Sequence, residues 1–113
     1  MSHTIIYNSE EHVIEAKFQG SLTLNEAKEF IAEFALIVKE KDCTLLINDY
    51  REATVKLSTM EIYGLPNIML DVFNSLGLNA RRLKRAFVAS KDLNDYTFYE
   101  AVTANSGQNV KVF

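Results

Sequence analysis

Residues 13–48 read VIEAKFQGSLTLNEAKEFIAEFALIVKEKDCTLLIN, and the pattern of this stretch decides the fold. Ile14, Ala16 and Phe18 alternate with Glu15 and Lys17, the period of a half-buried strand. The spacing predicts a strand over 13–18, ended by Gly20. Thr23-Leu24-Asn25-Glu26 then supplies a capping box, in which the Thr23 and Glu26 side chains each accept from the other residue's backbone amide. Ala27, Phe30, Ile31, Phe34, Ala35 and Val38 recur at helical spacing as far as Lys39-Glu40-Lys41-Asp42. Cys43 to Asn48 is continuously apolar in its middle, as expected of a strand covered on both faces. Strand, helix and strand in that order make a crossover unit, which joins parallel neighbours.

The flanking segments extend this unit in both directions. Residues 4–7 and 12–18 read as strands around the polar turn Asn8-Ser9-Glu10-Glu11 and predict a hairpin with His12 opposite Tyr7. In that register His3 and His12 stand about 13 Å apart, too far to share a metal ion. Beyond Asp49-Tyr50-Arg51-Glu52, a second capping box, Ser58-Thr59-Met60-Glu61, opens a helix expected from Thr59 to Ser75 and ended by Gly77. Pro66 should kink or restart that helix. Arg81-Arg82-Leu83-Lys84-Arg85 leads into a strand over 86–89. Asp92 or Asn94 can cap a third helix that includes Tyr96, Phe98, Tyr99 and Val102 and ends at Asn105-Ser106-Gly107, before a last strand over 110–113. The expected architecture is ββαβαβαβ: one α/β domain over 1–113, its mostly parallel five-stranded sheet packed by helices and its first strand antiparallel at one end.

Composition narrows the function classes. With 113 residues, 48% apolar, the chain can bury one ordinary core and is not a disordered segment. Twelve basic against fifteen acidic residues give a net charge of −3, which argues against general nucleic-acid binding. No apolar run is long enough to span a membrane, and Met1-Ser2-His3-Thr4 lacks the basic start of a secretory signal. Cys43 is the lone cysteine, so no internal disulfide or zinc–thiolate cluster is available, and a cytoplasmic location is the expectation. There is no phosphate-cradling glycine loop, no nucleophile elbow and no metalloprotease helix motif. No cofactor or metal is implied, and the expectation is a non-enzyme.

The element order, together with Phe18-Gln19-Gly20-Ser21-Leu22-Thr23, resembles the STAS fold of anti-sigma-factor antagonists, and more closely the SpoIIAA-like (STAS/SEC14-like) bacterial family. Leu46-Ile47-Asn48-Asp49-Tyr50-Arg51, Ala86-Phe87-Val88, Phe98-Tyr99-Glu100 and the run from Asn105 to Phe113 carry that resemblance. It implies a regulatory module that binds a protein partner, and a phosphosite at the start of the second helix. Antagonists carry Asp-Ser-Ser-Gly there; this chain has Leu57-Ser58-Thr59-Met60, keeping the hydroxyls of Ser58 and Thr59 and losing the aspartate and glycine. Relatives also continue into an acidic, tryptophan-containing helix, whereas this sequence stops at Phe113 and has no Trp. If the chain is complete, a last strand without that cover is expected to invite association.

Three groups of residues stand out as candidate sites, each with a structural alternative. Asp49, Tyr50 and Arg51 follow the third strand, where open α/β sheets place polar ligands, but also suit a loop ion pair. Ser58 and Thr59 head a helix, where anions are favoured, but also suit plain capping. Arg81, Arg82, Lys84 and Arg85 suit either an anion-binding patch or solvated surface charge. The second helix is the most unusual segment. Ten of the seventeen residues from Ile62 to Leu78 are apolar, sweeping about 220° against about 160° for the first helix. That excess must meet the kinked helix's own neighbours, or a homodimer or other protein partner over this helix, or a small apolar or amphipathic ligand held by Tyr63, Leu65, Met69 and Phe73.

Overall fold

The computed structural model of the chain describes residues 2–89, 99–100, 103 and 107–113. A hairpin of β1 (Ser2–Asn8) and β2 (Val13–Leu22) is followed by α1 (Leu24–Lys41), β3 (Leu45–Val55), α2 (Thr59–Ser75), a 3-10 turn (Ala80–Arg82), β4 (Lys84–Val88) and β5 (Asn109–Val112). The five strands form one mixed sheet in chain order. β1 pairs antiparallel with β2, and β2, β3, β4 and β5 run parallel. Tyr99, Glu100 and Thr103 are helical, as the third-helix reading requires. Asp92, Asn94, Tyr96, Phe98, Val102, Asn105 and Ser106 lie outside the described residues. Among the described residues no helix is long and apolar enough to cross a membrane.

Several boundaries differ from those expected, each for a local reason. Gly20 does not end β2; at φ 85° it takes the left-handed region open to glycine, and the strand continues to Leu22. Tyr7 faces Ile14, and His12 sits in the turn at φ 51°, its ring reaching back so that Nδ1 and the Tyr7 hydroxyl hydrogen-bond at 2.7 Å. Thr23 occupies the N-cap of α1 but its side chain makes no cap hydrogen bond, whereas the Ser58–Glu61 box at α2 is complete. Pro66 sits inside an uninterrupted α2.

β3 departs most. It runs through Asp49-Tyr50-Arg51 to Val55, and it is covered on one face only. Leu46, Asn48, Tyr50 and Ala53 are buried beneath the helices, while Leu45 and Ile47 stay exposed on the outer face. The buried positions shift phase after Tyr50 because two residues, Tyr50 and Arg51, oppose the single Phe18 between the Lys17–Asp49 and Gln19–Glu52 pairs. This is a β-bulge, and it returns the chain to the inner face at Ala53, while Asp49 and Arg51, two residues apart, share the outer face.

The core lies between the inner face of the sheet and the two helices. Phe18, Phe34 and Phe73 are its largest fully buried side chains. Rings connect across it: Phe18 stacks on Tyr50 with centroids 4.6 Å apart, Tyr50 meets Phe87 edge-on at 5.1 Å, and Phe87 stacks on Tyr99 at 5.3 Å. A second series runs from Phe18 through Phe30 and Phe34 to Phe73, joining sheet, α1 and α2. Cys43 is buried, its thiol donating to the His12 carbonyl at 3.2 Å.

Candidate ligand-binding site

A partly open cavity of about 60 Å³ lies between α1, α2 and the inner face of the sheet. Its walls are Phe18 and Leu22 of β2, Ala27, Phe30 and Ile31 of α1, and Asn48, Tyr50 and Val55 of β3. Leu57, Ile62, Leu65 and Met69 close it from the α2 side, and Arg85, Phe87 and Tyr99 complete it. Leu22 and Val55 end β2 and β3, so the lining reaches the carboxyl ends of two parallel strands, the usual place for ligands in open α/β sheets. One water needs roughly 10–15 Å³ of such space, and a cavity of about 150 Å³ holds benzene. This one therefore accepts a small group and leaves the remainder of a larger molecule outside.

Two polar side chains interrupt the apolar lining, and both are almost fully buried: Arg85 at 4% exposure and Asn48 at 2%. β4 alternates Lys84 out, Arg85 in, Ala86 out and Phe87 in, which aims the guanidinium inward. Pairing of Leu46 with Arg85 and Asn48 with Phe87 sets the two polar residues on adjacent strands of the same face. The guanidinium donates through one terminal nitrogen to the Tyr99 hydroxyl at 3.2 Å and through the other to Gln108 Oε1 at 2.6 Å. Gln108 Nε2 donates in turn to the Pro66 carbonyl of α2 at 2.9 Å. Asn48 Nδ2 donates to the Tyr50 hydroxyl at 3.0 Å. Arg85 Nε and Asn48 Oδ1 are buried with no hydrogen-bond partner among the described residues. Among the described residues no carboxylate pairs with Arg85; its Cζ instead lies 5.9 Å from the ring centres of Phe87 and Tyr99.

Arg85 thus corrects the reading of residues 81–85 as one basic surface patch. Arg81, Arg82 and Lys84 are exposed, and Arg85 belongs to the core. The signal was present as a period of two, Leu83, Arg85 and Phe87, all buried.

The predicted ligand-lining set divides. Leu65 and Met69 line the cavity, Phe73 lies deeper against Phe34, and Tyr63 turns outward to solvent. α2 also does not present a broad apolar face. Ile68, Leu70, Val72, Leu76 and Leu78 pack partly buried on their own core, because α1 and the 3-10 turn shelter this helix as well as the sheet does. Its exposed large apolar side chains are Met60, at 81%, and Tyr63, at 62%.

Asp49, Tyr50 and Arg51 do not form one loop site, because the strand sends them to opposite faces. Tyr50 lines the cavity, while Arg51 grips Asp49 on the outer face, Nε to Oδ1 at 3.0 Å and a terminal nitrogen to Oδ2 at 2.8 Å. Lys17 and Gln19 engage Glu52 beside them. The Arg51 hydrogen bonds hold the Asp49 carboxyl at about 2, against the partial burial that opposes it. A depressed folded-state value stabilises the fold fully above the ordinary value of 3.8 and loses that effect as pH falls toward 2. With Arg51 66% and Asp49 19% exposed, water screens the pair and keeps its contribution small. Urea denaturation of Asp49→Asn should accordingly show a small deficit that is constant at neutral pH and closes below about pH 4. A deficit unchanged down to about pH 2 would mean that the carboxylate is not what the pair contributes.

Ser58 is committed to its box, accepting from the Glu61 amide at 3.1 Å while its own amide donates to Glu61 Oε1 at 2.8 Å. The exposed Thr59 is the next residue.

No protein-family model matches the chain, and no curated protein aligns with it. Among solved structures it is similar to the anti-sigma factor antagonist SpoIIAA in its unphosphorylated form, with a TM-score of 0.58 over 96% of this chain and 86% of that one, at 8% identity. The fold is the SpoIIAA-like STAS fold. Within that fold, the antiparallel β1 lies at one edge of the sheet and the cavity lies under its helices. At this identity the likeness concerns the fold, and the site must be argued from its own residues.

Proposed function

We propose that this chain is a non-catalytic regulatory module of STAS fold that acts by holding a protein partner against the first turns of α2. The supporting observation is the placement of Met60 and Tyr63, three residues apart on one exposed face beside Ser58 and Thr59. Gly64 adjoins them with open space where a side chain would stand, leaving a flat approach to the helix. A phosphate on Ser58 or Thr59 would sit at the positive end of the helix and place charge at the edge of this contact. Aspartate caps a helix as well as serine does, so Ser58→Asp adds a charge without removing the cap. The partner is a different protein or a second copy of this chain; a second copy must use Met60 and Tyr63, since Leu65, Met69 and Phe73 are occupied inside the protomer.

The test is a photo-crosslinking residue at position 63, compared with one at Leu36, which is exposed on α1. Crosslinks to a defined partner at 63 and not at 36, weakened about ten-fold in Ser58→Asp with melting unchanged, are the expected result. Equal crosslinking at both positions overturns the reading.

The cavity favours a second reading, a carrier or sensor of a small amphipathic molecule. A mainly apolar pocket with a few convergent polar groups is the arrangement that such ligands require.

A further inference from the structure

We propose that the cavity binds a small monocarboxylate, with the carboxylate against Arg85 and Asn48 and the apolar body among the aromatic rings. This rests on the second reading above and adds the chemistry of the ligand's polar end.

The reasoning starts from cost. A charged group taken out of water is destabilising unless it is paired and its protons are accepted. Arg85 is buried, its positive charge meets no carboxylate among the described residues, and its two recorded hydrogen-bond partners, the Tyr99 hydroxyl and the Gln108 amide oxygen, are neutral. Its Nε–H, the remaining edge of the fork, has no acceptor among the described residues. Asn48, on the neighbouring strand and the same face, leaves its amide oxygen Oδ1, an acceptor, without a partner among the described residues. The unsatisfied Nε–H of Arg85 calls for a partner that accepts from a guanidinium and neutralises one positive charge; the Asn48 amide joins it when turned end over end.

A carboxylate meets those terms. One oxygen can accept from Arg85 Nε–H in a charge-assisted hydrogen bond. Turning the Asn48 amide end over exchanges its oxygen and nitrogen, and the Tyr50 hydroxyl can serve either as donor or as acceptor. Asn48 can then donate Nδ2–H to the second oxygen. A phosphate fits less well, because a dianion would need a second cation, and among the described residues Arg85 is the one basic side chain of the lining. The other walls, among them Phe18, Phe30, Ile62 and Met69, take the first carbons of a short aliphatic chain, the remainder reaching out through the opening.

The experiment titrates hexanoate and the neutral control 1-hexanol into the isotopically labelled protein and follows backbone amides and arginine Nε–H resonances by NMR. Hexanoate should bind about ten-fold more tightly than 1-hexanol and should move the Arg85 Nε–H signal. Asn48→Asp, which has nearly the shape of the wild type, supplies an internal carboxylate and should lose the preference for the acid while still binding the alcohol. Arg85→Met should do the same from the cation's side. Equal binding of acid and alcohol, or an acid preference that survives in either variant, overturns the carboxylate assignment and leaves the amphipathic-ligand reading standing. If neither compound binds and water alone fills the cavity, both fall.

Discussion

Phe34→Ala is expected to destabilise the fold by about 3–5 kcal/mol, with a fall in melting temperature on the order of 15 °C. Phe34 is wholly buried on α1, stacked with Phe30 at 5.7 Å and tilted against Phe73 of α2 at 5.8 Å. It is where the two helices meet through rings. Alanine there loses the transfer free energy of a benzyl group and leaves a hole that the rigid sheet beneath cannot fill. Because Phe73 forms part of the wall of that hole, Phe34→Ala and Phe73→Ala should not be additive; the double variant should fall short of the summed losses by about 1 kcal/mol. Urea denaturation of the three variants checks both statements. A Phe34→Ala loss below about 1.5 kcal/mol would mean that α1 and α2 reach each other by other contacts and the aromatic series is incidental.

Phe34 was also legible before any coordinates, and the reason is physical. Residues at i, i+3, i+4 and i+7 share a helical face whatever the tertiary context, so the six predicted core positions of α1 are the six that are buried. The Ser58 box was legible for the same reason, being a local exchange of hydrogen bonds over four residues. Local rules failed where the deciding contact was distant. The continuous apolar run at Leu45–Ile47 fits a strand covered on both faces or on one, and nothing within the run states what lies against its second face. The bulge at Tyr50–Arg51 depends on pairing with Phe18, which is distant in the chain. The apolar excess on α2 is plain in the sequence, but its count does not choose between a partner, a ligand and the helix's own neighbours; α1 and the 3-10 turn cover much of it.

The candidate site was half legible. Leu65 and Met69 follow from helical phase, and Tyr50 was singled out, though for a loop it does not occupy. Arg85 was missed because a basic residue among basic residues looks like surface. The neighbouring Leu83 and Phe87 carried the contrary signal, and the prior against burying a charge outweighed it. A buried arginine breaks the rules that otherwise specify a fold, and such breaks concentrate where a ligand is needed.

The sharpest test of that idea is energetic and needs no ligand. Gln108→Leu is expected to cost about 2–3 kcal/mol. The glutamine accepts from the Arg85 guanidinium at 2.6 Å and donates to the Pro66 carbonyl at 2.9 Å, so it ties β4, the lead into β5 and the middle of α2 together. Leucine fills a similar volume, so the loss should come mainly from a guanidinium N–H left buried without an acceptor. That cost disappears when the cation is removed too. Arg85→Met with Gln108→Leu should therefore be more stable than Gln108→Leu alone, recovering at least about 1 kcal/mol in urea denaturation. If the double variant were the weaker of the two, the Arg85–Gln108–Pro66 chain would be holding the fold together, and a stabilising role would account for the buried charge. A rescued double variant that no longer discriminates hexanoate from 1-hexanol would separate stability from recognition at Arg85, because the fold would then persist without the cation and the selectivity would not.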